Sequence, residues 1–312
     1  MRRLALASVI ADTMIMSTGA AVRLSSSGLG CPDWPRCSPA DVVASKNAGQ
    51  TLLNTWIEFS NRLLTFPLVI IAGLVFVAAW YYRPGGTKRR DLFWLGLAQP
   101  AGVVAQAVIG GLLVLSKLNP ALVSVHFLLS AAIVAAAVTL HVRCTEGDAP
   151  PTAVVRRDLR LLSAALVAVT AVMLAAGTVV TGTGPLAGHA DTRRYKFPLE
   201  GVTQLHADIG WLLCGLTVAL VLGLRVSGAP PRAMRAGWLV IAALLLQGMI
   251  GYIQYFNHLP AGLVWVHVTE AVIVWIAVLR LFFATRDRGP VNSAGTAQSA
   301  AVPTRQPEAL DR

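Results

Sequence analysis

Residues 247–267 read QGMIGYIQYFNHLPAGLVWVH, an apolar run that closes on a histidine, His267. The stretch has an ungapped echo at residues 106–126, QAVIGGLLVLSKLNPALVSVH, with 8 identities in 21 positions. Isoleucine, glycine, leucine and valine matches follow easily from an apolar composition. The matches of Gln106 with Gln247 and of His126 with His267 do not. The chain therefore reads as two related halves, each placing a histidine inside an apolar segment, where polar residues are costly and usually functional.

Working outward, the 312 residues are 55% hydrophobic and only 13% charged, against about 25% charged in soluble domains. This is the composition of an integral membrane protein. At about 20 apolar residues per span, the predicted helices are residues 4–24, 56–82, 92–116, 121–142, 161–181, 203–224, 236–256 and 261–283. The first of these lacks a small-residue cleavage site followed by a soluble domain, so it reads as a helix that stays. The formal net charge of +11 could suggest nucleic acid. The basic residues instead form short clusters between apolar segments, which excludes that partner and fits the positive-inside rule. Eighteen Lys and Arg residues fall on the side of the termini and 8 on the side of the two long loops, residues 25–54 and 182–202. The expected arrangement is a multi-pass plasma-membrane protein with both termini cytoplasmic and the long loops outside. The fold class is all-α, with eight transmembrane helices in two parallel-repeat four-helix bundles. Residues 1–142 form the first half, 143–160 a cytoplasmic linker, 161–284 the second half, and 285–312 a tail whose composition reads as disordered.

In the second half, His206 lies about one turn into its predicted helix and His267 about two turns into its own, both from the outer end. Their depths differ by roughly 5 Å at 1.5 Å rise per residue. Neutral imidazoles on facing helices are how a four-helix bundle holds a haem through both axial positions. The competing reading, a hydrogen bond from each ring to a neighbouring helix, is weakened by the matched depth and by the repeat. In the first half, His126 matches His267, but the counterpart of His206 in IEFSNRLL is Asn61. The spacings agree: Asn61 to His126 is 65 residues and His206 to His267 is 61. One half thus offers two ligands, suited to electron transfer. The other offers one, leaving an open position suited to a reactive or substrate haem.

Glu58 shares a helix face with Asn61. It reads either as the partner of Arg62 at the interface or as a proton-handling acid beside the open haem face. The loop carrying His189, Arg193, Arg194 and Lys196 is either a solvated basic loop or a contact for haem propionates. Gln106 and Gln247 read as interhelical hydrogen-bonding groups, and Gly110, Gly111, Gly248 and Gly251 as points of close helix approach. Trp56, Trp80, Tyr81 and Trp94 suit the interfacial belt. His141 and His258 are expected to be solvated, and Cys214 to be a small core residue; Cys144 carries no signal.

Five motifs occur in a specific order and spacing: RLSSSGLGCPDWPRC (residues 23–37), EFSNRLL (58–64), VVTGTGP (179–185), QLHADIGWL (204–212) and QGMIGYIQYF with its downstream His267. Together they resemble the haem A synthase family over nearly the whole chain. The resemblance implies oxidation of the C8 methyl of haem O to a formyl group by successive hydroxylations, supplying haem A to cytochrome oxidase. It implies haem b as cofactor, its iron held by His206 and His267, and haem O as substrate with His126 as ligand and Glu58 as the catalytic acid. It also implies a Cys31–Cys37 disulfide on the outer face. Two cysteines in one short loop on an oxidising side agree with that, and two thiols without a nearby histidine disfavour a metal site. Haem O synthase is the implied partner, a homo-oligomer is compatible, and the electron donor stays open. The family's usual motif has histidine where this chain has Asn61. The rival functions are a di-haem, cytochrome b-like, quinol-oxidising electron carrier, and a transporter built from parallel repeats. The transporter explains the symmetry but not the matched histidines.

Overall fold

The computed structural model describes residues 1–39, 41–44, 51–189 and 192–291. Its helices are α1 (Arg2–Leu24), α2 (Leu52–Leu63), α3 (Thr65–Tyr81), α4 (Arg90–Leu115), α5 (Pro120–Arg143), α6 (Arg157–Thr183), α7 (Leu199–Val226), α8 (Pro231–Phe256) and α9 (Ala261–Ala284). With α2 and α3 taken as one span, Leu52–Tyr81, the chain has 8 helices long and apolar enough to cross a membrane. The protein is an all-α membrane protein.

Pro67 explains why the second span is in two pieces. It has no N–H to donate, and its ring crowds the carbonyl four residues back, that of Leu63. The helix breaks there, at Leu64. The polar residues of the span, Glu58, Asn61 and Arg62, all fall in α2, and α3 is left almost wholly apolar.

Four helices, α2, α6, α7 and α8, start about a turn earlier than the sequence pattern predicts. Thr51 caps α2, its hydroxyl accepting the N–H of Asn54 at 3.1 Å. Helix α7 starts at Leu199, with Glu200 in its first turn, where the helix dipole favours a carboxylate. The shift in α7 evens out the histidine depths. His126, His206 and His267 now sit six or seven residues into α5, α7 and α9, roughly 9–11 Å along each helix from the same face of the bundle. That face carries both long loops.

Within the first half, α1 packs on α3 and α5, and α3, α4 and α5 pack in sequence; within the second, α6 packs on α7 and α9, and α7, α8 and α9 pack in sequence. Between them, α1 lies on α9, α6 lies on α5, and α5 meets α9 at the centre. Since lipid tails are as apolar as leucine, this seam depends on close packing and interhelical hydrogen bonds. Met16, Ala131, Val134, Val138, Leu174 and Val272 interlock there. Trp275 of α9 donates its indole N–H to the Ala131 carbonyl of α5 at 2.9 Å.

At the opposite face, two buried arginines are knotted together. Asp91 Oδ2 accepts from Arg89 Nη2 at 2.8 Å and from Arg143 Nη2 at 2.6 Å. Glu146 takes Arg143 Nη1 at 2.9 Å, and Asp148 lies 3.1 Å from Arg89 Nε. Burial pushes the nearby Cys144 thiol up to about 11, which makes it inert at neutral pH. His141, expected to be solvated, is buried here among helix ends. The linker and the start of the tail are tied by a short antiparallel pair, β1 (Thr152–Ala153) with β2 (Arg286–Asp287). The rest of the expected disordered tail, from residue 292, lies outside the described residues.

Asp91→Ala removes the acceptor shared by both buried arginines. It should lower the stability of the detergent-solubilised protein by about 1.5–3 kcal/mol, the range for hydrogen bonds to charged groups, read as a lower thermal midpoint. An unchanged midpoint would contradict the role assigned to this carboxylate.

Candidate functional site

In the second half, the rings of His206 and His267 face one another with centroids 6.4 Å apart and planes at 65°. Each is backed by a glycine of the preceding helix. A Cβ on Gly177 of α6 would lie 3.2 Å from His206 Cε1 and 3.7 Å from its Nδ1. A Cβ on Gly251 of α8 would lie 3.2 Å from His267 Cε1 and 3.6 Å from its Nδ1. In both, Cε1 and Nδ1 are the ring atoms nearest the glycine. Gln247 steadies α9 at this level, donating to the His267 carbonyl at 3.1 Å, with its Nε2 3.4 Å from the ring Nε2. Neither Nδ1 has a partner, although both atoms are buried.

These features fit a metal centre between the rings. An imidazole nitrogen sits about 2 Å from a first-row metal ion; two such bonds plus roughly one bond length from each nitrogen to its ring centre span about 6 Å. The described residues contain no cluster of three or more His, Cys, Asp or Glu able to hold a bare ion. Two histidines alone suit an iron whose other ligands come from a macrocycle.

The first half repeats part of this arrangement. A Cβ on Gly110 of α4 would lie 3.4 Å from His126 Cε1. Gln106 donates to the His126 carbonyl at 3.0 Å and to Ser130 Oγ at 2.5 Å. His126 Nδ1 is buried without a partner, and so is Asn61 Oδ1 on α2. Gly19 of α1, four residues before Arg23, has nothing within 4 Å of a built Cβ. The first half thus has one backed imidazole, an amide oxygen without a donor, and open space beside a glycine.

Glu58 is held on both oxygens. Oε1 accepts from Arg62 Nη2 at 2.6 Å and Nε at 3.2 Å, and Oε2 accepts the Cys31 N–H at 2.8 Å. Arg62 also donates to the carbonyls of Cys31, Asp33 and Arg36 at 2.9, 3.0 and 3.1 Å. The Arg62 pairing is therefore present, and it does more than neutralise a charge. It clasps the first long loop onto α2. Cys31 and Cys37 are joined by a disulfide in that loop. Gly30 meets the backbone of Asn54 and Thr55 so closely that no side chain fits. Trp34 covers Gly111 of α4, where a Cβ would come 2.6 Å from its ring.

Arg193, Arg194 and Lys196 are exposed, and Arg194 donates to the Pro185 carbonyl at 3.2 Å. Three groups near the site were not singled out by the sequence. Glu270, one turn below His267, is buried with Oε2 unpartnered. Asp12 on α1 is buried, 3.4 Å from Ser8 Oγ, which donates to Gln99 at 2.9 Å. Arg23, at the end of α1, donates to the Thr181 carbonyl of α6 at 2.9 Å. A lone carboxylate in an apolar run was a usable signal for Asp12 and Glu270. Gly177 had none, because it stands out only once the ring behind it is placed.

The chain matches a family model, COX15-CtaA, described as cytochrome oxidase assembly protein, over residues 2–279. It is 26% identical to Heme A synthase of Bacillus cereus over 305 residues, covering 92% of this chain and 93% of that protein. It is 28% identical to Heme A synthase of Rhodopseudomonas palustris over 326 residues, covering 89% and 88%. With Heme A synthase of Lysinibacillus sphaericus it shares 30% identity over 124 residues, covering 40% of this chain and 38% of that protein.

Arg62→Met removes every donor that ties the loop carbonyls to α2. Local opening then becomes easier, and tryptic cleavage after Arg36 should accelerate about tenfold, the factor for 1.4 kcal/mol. Cleavage at the parent rate would show that the loop is held by other means.

Proposed function

The chain belongs to the COX15-CtaA family of cytochrome oxidase assembly proteins, and from that footing we propose that it makes haem A from haem O. The long-loop face, with its disulfide, would lie outside the cell membrane, and both termini inside. Haem O would arrive from a haem O synthase. The C8 methyl would pass through two hydroxylations, each removing two electrons from the carbon, and loss of water would leave the formyl group.

The two halves would divide the work. His206 and His267 would hold a haem b, backed by Gly177 and Gly251 and steadied by Gln247. His126, backed by Gly110 and steadied by Gln106, would hold the haem substrate. When bound, these haems supply the one-electron chemistry that the protein's side chains lack. Asn61 would present its amide to the open face. Glu58 would take or give a proton at Oε2, which a backbone N–H holds, while Arg62 keeps Oε1 fixed. The disulfide loop would shield this region from bulk water.

The observation that carries this reading is the asymmetry between halves. One has two imidazoles 6.4 Å apart; the other has one imidazole and a partnerless Asn61 Oδ1. A cytochrome b-like carrier oxidising quinol has no use for an open haem face, so the asymmetry favours chemistry over electron transfer alone.

Pigments extracted from the purified protein and identified by mass should include haem O, its hydroxylated form or haem A. Haem b alone, from a host that makes haem O, would count against the proposal. His206→Ala and His267→Ala should each abolish the low-spin haem spectrum, as should Gly251→Leu, whose side chain would displace the His267 ring. Glu58→Gln should retain bound haem but lower product formation about 10²–10⁴-fold, the usual range for a general acid or base. Full activity would remove Glu58 from the mechanism.

A further inference from the structure

We propose that Arg23 binds a propionate carboxylate of bound haem, at the long-loop end of the seam between the two halves. This rests on the haem reading above and adds the group that recognises the acid edge of the macrocycle.

Arg23 is the last residue but one of α1. Its Nη2 donates to the Thr181 carbonyl near the end of α6 at 2.9 Å, so its head bridges the halves. Its stem lies along Gly188, where a Cβ would come 3.4 Å from Arg23 Cγ. The two long loops meet at that same point, with Gly28 N–H donating to the Gly188 carbonyl at 3.2 Å. Arg23 Nε is buried and has no acceptor. Among the described residues, no carboxylate lies within ion-pair distance of this guanidinium.

Arg23 is half-buried, and a cation withdrawn from water without an anion beside it is unfavourable. A guanidinium presents a planar fork of donors that matches a carboxylate. Haem carries its two carboxylates side by side on one edge, and that edge must avoid the apolar midplane. Thr181 lies four residues beyond Gly177, the glycine behind His206, and Arg23 lies four beyond Gly19. Arg23 therefore stands about 6 Å nearer the long-loop face than the level of the rings, on the side where a carboxylate edge would be directed.

The other basic residues of this face fit the role less well. Arg193, Arg194 and Lys196 are exposed. The Arg62 head is taken up by Glu58 and three carbonyls.

The test uses the full chain purified without haem and titrated with haem b or with haem b dimethyl ester, which has no carboxylate. Binding is followed by absorbance. The parent should prefer the free acid by about tenfold or more. Arg23→Gln should weaken haem binding to a similar extent and abolish the preference, and Arg23→Lys should restore part of it. Equal affinities for acid and ester in the parent would overturn the proposal, and so would an unchanged preference in a folded Arg23→Gln protein. If that variant does not fold, the acid-to-ester ratio of the parent still decides. A folded parent that binds neither pigment would overturn the haem reading itself, and the Arg23 proposal with it.

Discussion

An imidazole inside a membrane bundle is useful only if it is held without being used up. Backing it with a hydrogen bond to a neighbouring helix would fix the ring but occupy a nitrogen. Here shape does part of the work, and of the three rings His267 also has a ring nitrogen within hydrogen-bond distance of the neighbouring helix, its Nε2 3.4 Å from Gln247 Nε2. A glycine on the adjacent wall helix leaves room for each ring, whose Cε1 sits 3.2–3.4 Å from where a Cβ would be. A glutamine then anchors the histidine's helix through its main-chain carbonyl. These contacts lie within the packing of α4 on α5, of α6 on α7 and of α8 on α9.

The same device shows what is different about the first half. Three histidines have their glycines, and the fourth place of the pattern has Asn61, whose Oδ1 is buried without a partner. The first loop is fastened over this half by the Glu58–Arg62 clasp, the disulfide and Trp34. In the proposed reading, a cofactor is fixed in one half and a substrate is turned over in the other, with Arg23 between them.

Much of this was legible in the sequence because it was written in residue types that a membrane chain avoids. His126, His206, His267, Gln106 and Gln247 each break an apolar run, and the eight spans follow from hydropathy. Helix starts were less legible. The residues that precede α2, α6, α7 and α8, Thr51, Arg156, Pro198 and Pro230, are all common in loops, so these helices each begin about a turn earlier than the apolar pattern indicates. The break at Leu64 was signalled by Pro67, but a proline in a span can also be absorbed as a kink. The clasp was only half visible. The i,i+4 spacing pairs Glu58 with Arg62, whereas their bonds to Cys31, Asp33 and Arg36 depend on how the loop folds back.

The division of labour is tested most directly by electron paramagnetic resonance of the ferric, haem-loaded protein alongside Asn61→His. The parent should show one bis-imidazole low-spin signal per chain, from His206 and His267, with any second haem held by a single imidazole. Asn61→His should convert that second haem to a second bis-imidazole signal. Two bis-imidazole signals in the parent, or none, would contradict the proposed asymmetry.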